Sequence, residues 1–168
     1  MPATIALLIA SEEITSSLFG YGSFDIISVK NSANALFYFA LGLPAFSFIK
    51  IFSTFLFARH NTKIPFFFSV ISVIINIVIS IYYFNKIGFI IIPISTSISS
   101  WFNAIILLVY LINKKYYFIN LNLIKSLLKI ILSTFLTSYI FYNLINFFSE
   151  NLHYDSEYKL LTIILLVL

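Results

Sequence analysis

The stretch Ala33–Pro65, ANALFYFALGLPAFSFIKIFSTFLFARHNTKIP, decides the fold. Between Ala33 and Ala58 the one charged residue is Lys50. Wound as a helix at ~1.5 Å per residue, that run exceeds the ~30 Å hydrocarbon core of a bilayer. Pro44 removes a backbone donor and crowds the carbonyl of Ala40, so a kink is expected there, eased by Gly42. Residues 59–65 form a short basic turn, and Pro65 suits the first turn of the next helix, where its missing N–H would have had no partner. Asn61 or Thr62 is placed to cap that helix. Lys50 lies about two turns inside the Arg59 end. Its ammonium either snorkels to the interface or faces a polar cavity in a substrate-binding role.

The rest of the chain has the same character. It is 61% hydrophobic and 10% charged, against the ~25% charge that a water-soluble surface carries. Apolar runs of helical length recur, whereas strands of a membrane barrel would show runs of ~10 alternating residues. The sequence therefore predicts an all-α, polytopic helical membrane protein of about six transmembrane helices. Cysteine is absent, which excludes thiol catalysis, disulfides and Cys-based metal sites. The net charge of +4 sits on residues scattered between apolar runs, so it points to membrane topology and not to a nucleic-acid partner. No basic n-region or cleavage pattern follows Met1, so no signal peptide is expected.

In chain order, residues 1–19 read as the outer part of a helix whose beginning is missing, with Glu12 and Glu13 near the headgroups. Helices are expected over 33–58, 64–84, 88–112 and 124–148. The last apolar run, 158–168, is too short to cross and reads as truncated. Between the last two lie Glu150, His153, Asp155 and Glu157, a loop without the spacing of a metal or acid–base site. No nucleophile, base and orienting group occur together, so no enzyme is expected. Arg59, Lys63, Lys114, Lys115 and Lys125 cluster in the second and fourth connections. Asp25, Glu150, Asp155 and Glu157 lie in the first and fifth. The positive-inside rule then puts the second and fourth on the cytoplasmic side, with Lys30, Lys86 and Lys159 as exceptions.

Two helices carry polar faces. Ser69, Ser72, Asn76 and Ser80 fall on one side of the third, and Thr96, Ser99, Ser100 and Asn103 on one side of the fourth. The tight Asn85–Gly88 turn makes these helices antiparallel neighbours, so the faces can meet. They serve either as hydrogen-bonded packing surfaces or as a small-cation site of hard oxygen ligands, without a carboxylate to balance the ion.

Ala35-Leu36, Tyr38, Ala40–Phe46, Lys50, Phe57–Arg59, Asn61–Lys63 and Pro65 together resemble the MurJ (MviN) family of lipid II flippases. Pro2-Ala3, Leu18-Phe19, Tyr21-Gly22 and Phe24 extend the resemblance upstream. Asn76, Gly88, Thr96-Ser97, Trp101 and Asn103 extend it downstream, to about residue 115. The resemblance implies the multidrug, oligosaccharidyl-lipid and polysaccharide exporter superfamily, in which two six-helix lobes flank a central cavity. On that mapping, residues 1–115 resemble helices nine to twelve of the second lobe, and residues 116–168 resemble helix thirteen and part of fourteen, a pair forming a groove for the lipid tail. The implied activity is transport of lipid II, the undecaprenyl-linked peptidoglycan precursor, across a bacterial inner membrane by alternating access. The implied partners are lipid II, the bilayer and the missing N-terminal helices of the same protein. The arginines that hold the substrate pyrophosphate lie mainly in those missing helices. No organic cofactor is implied; sodium or the membrane potential is the implied driving force. Some members bind sodium at an oxygen-lined site, and Asn76, Ser80 and Thr96 match its polar ligands, although Ser80 stands where a carboxylate is expected. An exporter of another lipid-linked oligosaccharide or polysaccharide, and a nonfunctional or assembly-only fragment, remain as alternatives.

Overall fold

The computed structural model describes residues 2–116, 121–148, 152, 156 and 158–167. Among the described residues seven α-helices follow one another: α1 (Pro2–Ile9), α2 (Ser11–Phe19), α3 (Ile26–Ala58), α4 (Lys63–Ile87), α5 (Ile91–Asn113), α6 (Leu121–Phe147) and α7 (Lys159–Val167). A single 3-10 turn, Gly88–Ile90, joins α4 to α5. Among the described residues every regular element is helical, because a backbone in hydrocarbon must satisfy its polar groups within the segment. The stretches Ile26–Ala58, Lys63–Asn113 and Lys125–Phe147 are long and apolar enough to cross a membrane. The middle one, 51 residues long, exceeds a single crossing and folds back on itself at Gly88. Gly88 takes a φ of 74°, a left-handed conformation open to glycine without strain. Large apolar side chains point outward along the spans, with Ile81 72% and Phe147 81% exposed, as suits a lipid-facing surface.

Two departures from the sequence expectation have a local reason. The first helix bends at the fully buried Ala10, and Ser11-Glu12-Glu13 open α2 with acids in the first turn, where the helix dipole favours them. Helix α3 starts at Ile26 instead of Ala33, because Asp25 Oδ1 accepts the Ser28 N–H at 2.8 Å and supplies an N-cap. The same helix continues through Pro44 without ending.

The chain divides into two compact units, Leu41–Leu121 and Met1–Ala40 together with Asn122–Leu168. In the first, α5 is the centre. Its buried face consists largely of small residues, including Ser95, Ser97, Ser99, Ser100 and Ala104, which let neighbouring backbones approach closely. A Cβ at Gly42 of α3 would lie 2.9 Å from Ser97 Oγ, so glycine is what permits that approach. One residue away, the Trp101 indole N–H donates to the Leu41 carbonyl at 3.0 Å. Near a proline, helical carbonyls are freed and a neighbouring helix can satisfy them. Leu56, Leu107 and Leu111 close the apolar core of this unit.

Helices α3 and α5 end alike. Asn61 N–H donates to the Leu56 carbonyl and His60 N–H to Phe57; Tyr116 N–H donates to Leu111 and Lys115 N–H to Ile112. Those are two Schellman caps, with His60 and Lys115, both at φ 57°, in the left-handed position usually given to glycine. Asn61 links the ends, its Nδ2 donating to the Tyr110 hydroxyl at 3.4 Å, while its Oδ1 accepts the Ile64 N–H that starts α4. The Arg59 guanidinium lies 4.2 Å from the Tyr116 ring and 4.9 Å from that of Phe55. The second and fourth connections therefore share one end of this unit, as the charge pattern requires.

In the other unit, Ala10, Ile145, Leu152 and Ile163 form the buried core, and α7 packs on α2. Lys159, at the start of α7, is 2% exposed. Its Nζ donates to the Gly20 carbonyl at 2.6 Å and lies 4.2 Å from the Tyr21 ring. This accounts for one exception to the positive-inside pattern, since the charge is spent inside the protein and not left in a loop. It also places the start of α7 beside the first connection. Glu150, His153, Asp155 and Glu157 lie outside the described residues, and among those described no group of three His, Asp or Glu side chains could hold a metal.

Candidate functional site

The polar faces of α4 and α5 do meet, in antiparallel register: Ser69 with Asn103, Asn76 with Thr96 and Ser99, Ser80 with Ser95. Asn76 is the hub. Its Nδ2 donates to Thr96 Oγ1 at 3.0 Å and to Ser99 Oγ at 3.4 Å. Its Oδ1 accepts the hydroxyls of Ser80 and Ser95, each at 3.3 Å. The Ser80 and Ser95 hydroxyls are 2.6 Å apart, and Thr96 Oγ1 reaches the Ile92 carbonyl at 2.8 Å. Asn76, Ser80 and Thr96 are thus brought together as the sequence anticipated. Ser95 was not anticipated, although it is fully buried and central. Its signal was there in the spacing of four from Ser95 to Ser99 to Asn103, which the neighbouring Thr96 obscured.

A cavity of about 460 Å³ opens beside this seam, walled by Phe46 and Ile49 of α3 and by Ser72, Asn76, Thr96, Ser99 and Asn103. Asn103 is 94% buried and its Oδ1 has no hydrogen-bond partner. The seam contains no formal charge. Lys50 follows the cavity-lining Ile49 but is itself exposed, its carbonyl accepting the Thr54 hydroxyl at 2.8 Å.

A family model described as lipid II flippase MurJ matches residues 1–163. The chain belongs to this family. Among curated relatives, a probable lipid II flippase MurJ of Rickettsia prowazekii (strain Madrid E) is 32% identical over 166 residues, covering 99% of this chain and 32% of the relative. One from Rhizobium meliloti (strain 1021) is 36% identical over 112 residues, 67% of this chain and 21% of the relative. One from Thermotoga maritima is 36% identical over 99 residues, 59% of this chain and 21% of the relative. The chain spans about a third or less of the length of these relatives. The match to the MurJ model runs well past residue 115, where the motif resemblance fades.

Proposed function

We propose that this chain contributes helices to a lipid II flippase of a bacterial inner membrane, which moves the lipid-linked peptidoglycan precursor by alternating access. The observation that carries this is the family match over residues 1–163. The remaining helices, including those that hold the substrate pyrophosphate, are supplied by the rest of the same protein. Residues 1–115 are second-lobe helices, and residues 116–168 the groove pair that guides the lipid tail. The packing of α7 on α2 supports a groove pair that leans on the first of these second-lobe helices. The exposed Lys50 fits a substrate-facing cation on α3.

We infer that the Asn76 seam holds α4 on α5. What favours this over sodium coordination is that Asn76 already spends its amide on Thr96 and Ser99 and its carbonyl on Ser80 and Ser95. An ion would have to replace those bonds with no carboxylate to balance its charge.

The test is complementation. The complete protein containing this chain is expected to rescue a bacterium depleted of its own flippase. Continued accumulation of cytoplasm-facing lipid II, despite good expression, would overturn the reading. Any sodium dependence of transport should survive Thr96→Ala, and its loss would return Thr96 to an ion site.

A further inference from the structure

Helix α3 belongs to both compact units, because the boundary between them falls inside it, between Ala40 and Leu41. The weakest turn of the helix begins at the same place. Pro44 has no N–H to give the Ala40 carbonyl, and Gly42 has no side chain to restrict the backbone. One face of α5 grips this turn. Ser97 and Trp101 are four residues apart and so lie on the same side of α5, one above the other. Ser97 meets Gly42, where a Cβ would come 3.3 Å from the Ser97 Cα and 2.9 Å from its Oγ. Trp101 donates its indole N–H to the Leu41 carbonyl at 3.0 Å, and its ring lies 6.4 Å from that of Phe48, beyond the proline. Further along, α3 is anchored on α5 through Leu56 against Leu107 and Leu111. Residues 26–40 take no part in that core.

We propose that the Leu41–Pro44 turn is a hinge in α3 and that Trp101 latches it, so that breaking one indole hydrogen bond frees the turn to bend. Helices bend sharply where the ladder of backbone bonds is interrupted, and proline is a leading cause. The Gly42–Ser97 contact is the pivot. Helix α4 packs on α5 along the whole seam from Ser69 to Ser80, whereas α3 makes its close backbone approach at Gly42. A tilt about that point leaves the Leu56 anchor in place. The hinge is a property of the helix and does not rest on the flippase reading; in a transporter that alternates its access, a few residues of this kind absorb the movement.

The chain has no cysteine, so spin labels can be placed on both sides of the turn through Lys30→Cys and Ile51→Cys, two exposed positions of α3. In the complete protein containing this chain, reconstituted in liposomes with any thiol elsewhere replaced, electron–electron double resonance reads the distance between them. A straight helix sets it at about 32 Å, before the reach of the labels is added. The background protein is expected to show a main distance and a second, minor one. Trp101→Phe, which keeps a ring beside Phe48 and removes the N–H, should raise the weight of the minor distance about two- to tenfold, the worth of one hydrogen bond. Pro44→Ala restores the missing donor and should narrow the distribution to a single peak, with or without Trp101→Phe. It also keeps the test open if Trp101→Phe alone misfolds. An unchanged distribution in Trp101→Phe, or a Pro44→Ala distribution as broad as that of the background protein, would overturn the proposal. No transport is needed for the measurement, so its outcome is separate from that of the complementation test.

Discussion

At the scale of single residues, polar side chains in this protein work mainly on its own backbone. Ser47, Thr54, Ser72 and Thr137 each donate to a carbonyl one turn back, which disposes of a hydroxyl in hydrocarbon without a partner helix. Asp25 does the reverse and accepts. Its carboxylate is held below the ordinary range, first by the Ser28 hydroxyl and then by the Ser28 N–H. A group with a lowered folded-state pKa contributes stability that is present above its unfolded value and lost as pH falls through the folded one. The first turn of α3 is therefore expected to loosen on acidification below the usual carboxylate range. Asp25→Asn should retain the cap at neutral pH and abolish that acid sensitivity. Hydrogen exchange at Ile26–Lys30, followed against pH, checks both.

At the scale of elements, α5 and not α3 is the piece around which the Leu41–Leu121 unit is built. Helix α3 was the more legible, because a long apolar run with one proline is conspicuous. The centrality of α5 was written less visibly, in small residues whose meaning depends on what packs against them. Spacing alone put Asn76 and Thr96 on facing sides, and the tight turn at Gly88 fixed their register. Spacing could not show that the hydroxyls would saturate Asn76, since that depends on rotamers and helix separation. Two substitutions test this account. Gly42→Ala should destabilise the unit by about 1–3 kcal/mol through overpacking, and Ser97→Ala should return part of that loss when combined with it. Asn76→Leu should cost about 1–2 kcal/mol by removing the interhelical hydrogen bonds that Asn76 makes to Thr96, Ser99 and Ser95. Unfolding in mixed micelles measures each, and additivity of Gly42→Ala with Ser97→Ala would show that the two side chains do not meet.

At the scale of the whole molecule, the charge pattern along the sequence put the second and fourth connections at one end, and the Asn61–Tyr110 and Arg59–Tyr116 contacts bring those two together. Cysteines placed at His60 and Lys115 are expected to react with an impermeant thiol reagent only from the cytoplasmic face, and one at Gly22 only from the opposite face. Labelling of all three from one side would contradict the topology. The burial of Lys159 was not legible, because one lysine at the start of an apolar run reads as an interfacial charge wherever it falls. Lys159→Met should cost more than a surface lysine, since it leaves the Gly20 carbonyl without that donor in a buried site. Lys159→Arg should recover part of the loss, as measured by the stability of the α2–α7 contact. The bond from Lys159 to Gly20 spans 139 residues of chain. During synthesis, the residues around Gly20 emerge long before α7 exists, and closing so distant a contact is entropically slow. The Lys159 clasp is then a timer: the early loop stays open through insertion of every intervening helix and shuts when α7 arrives.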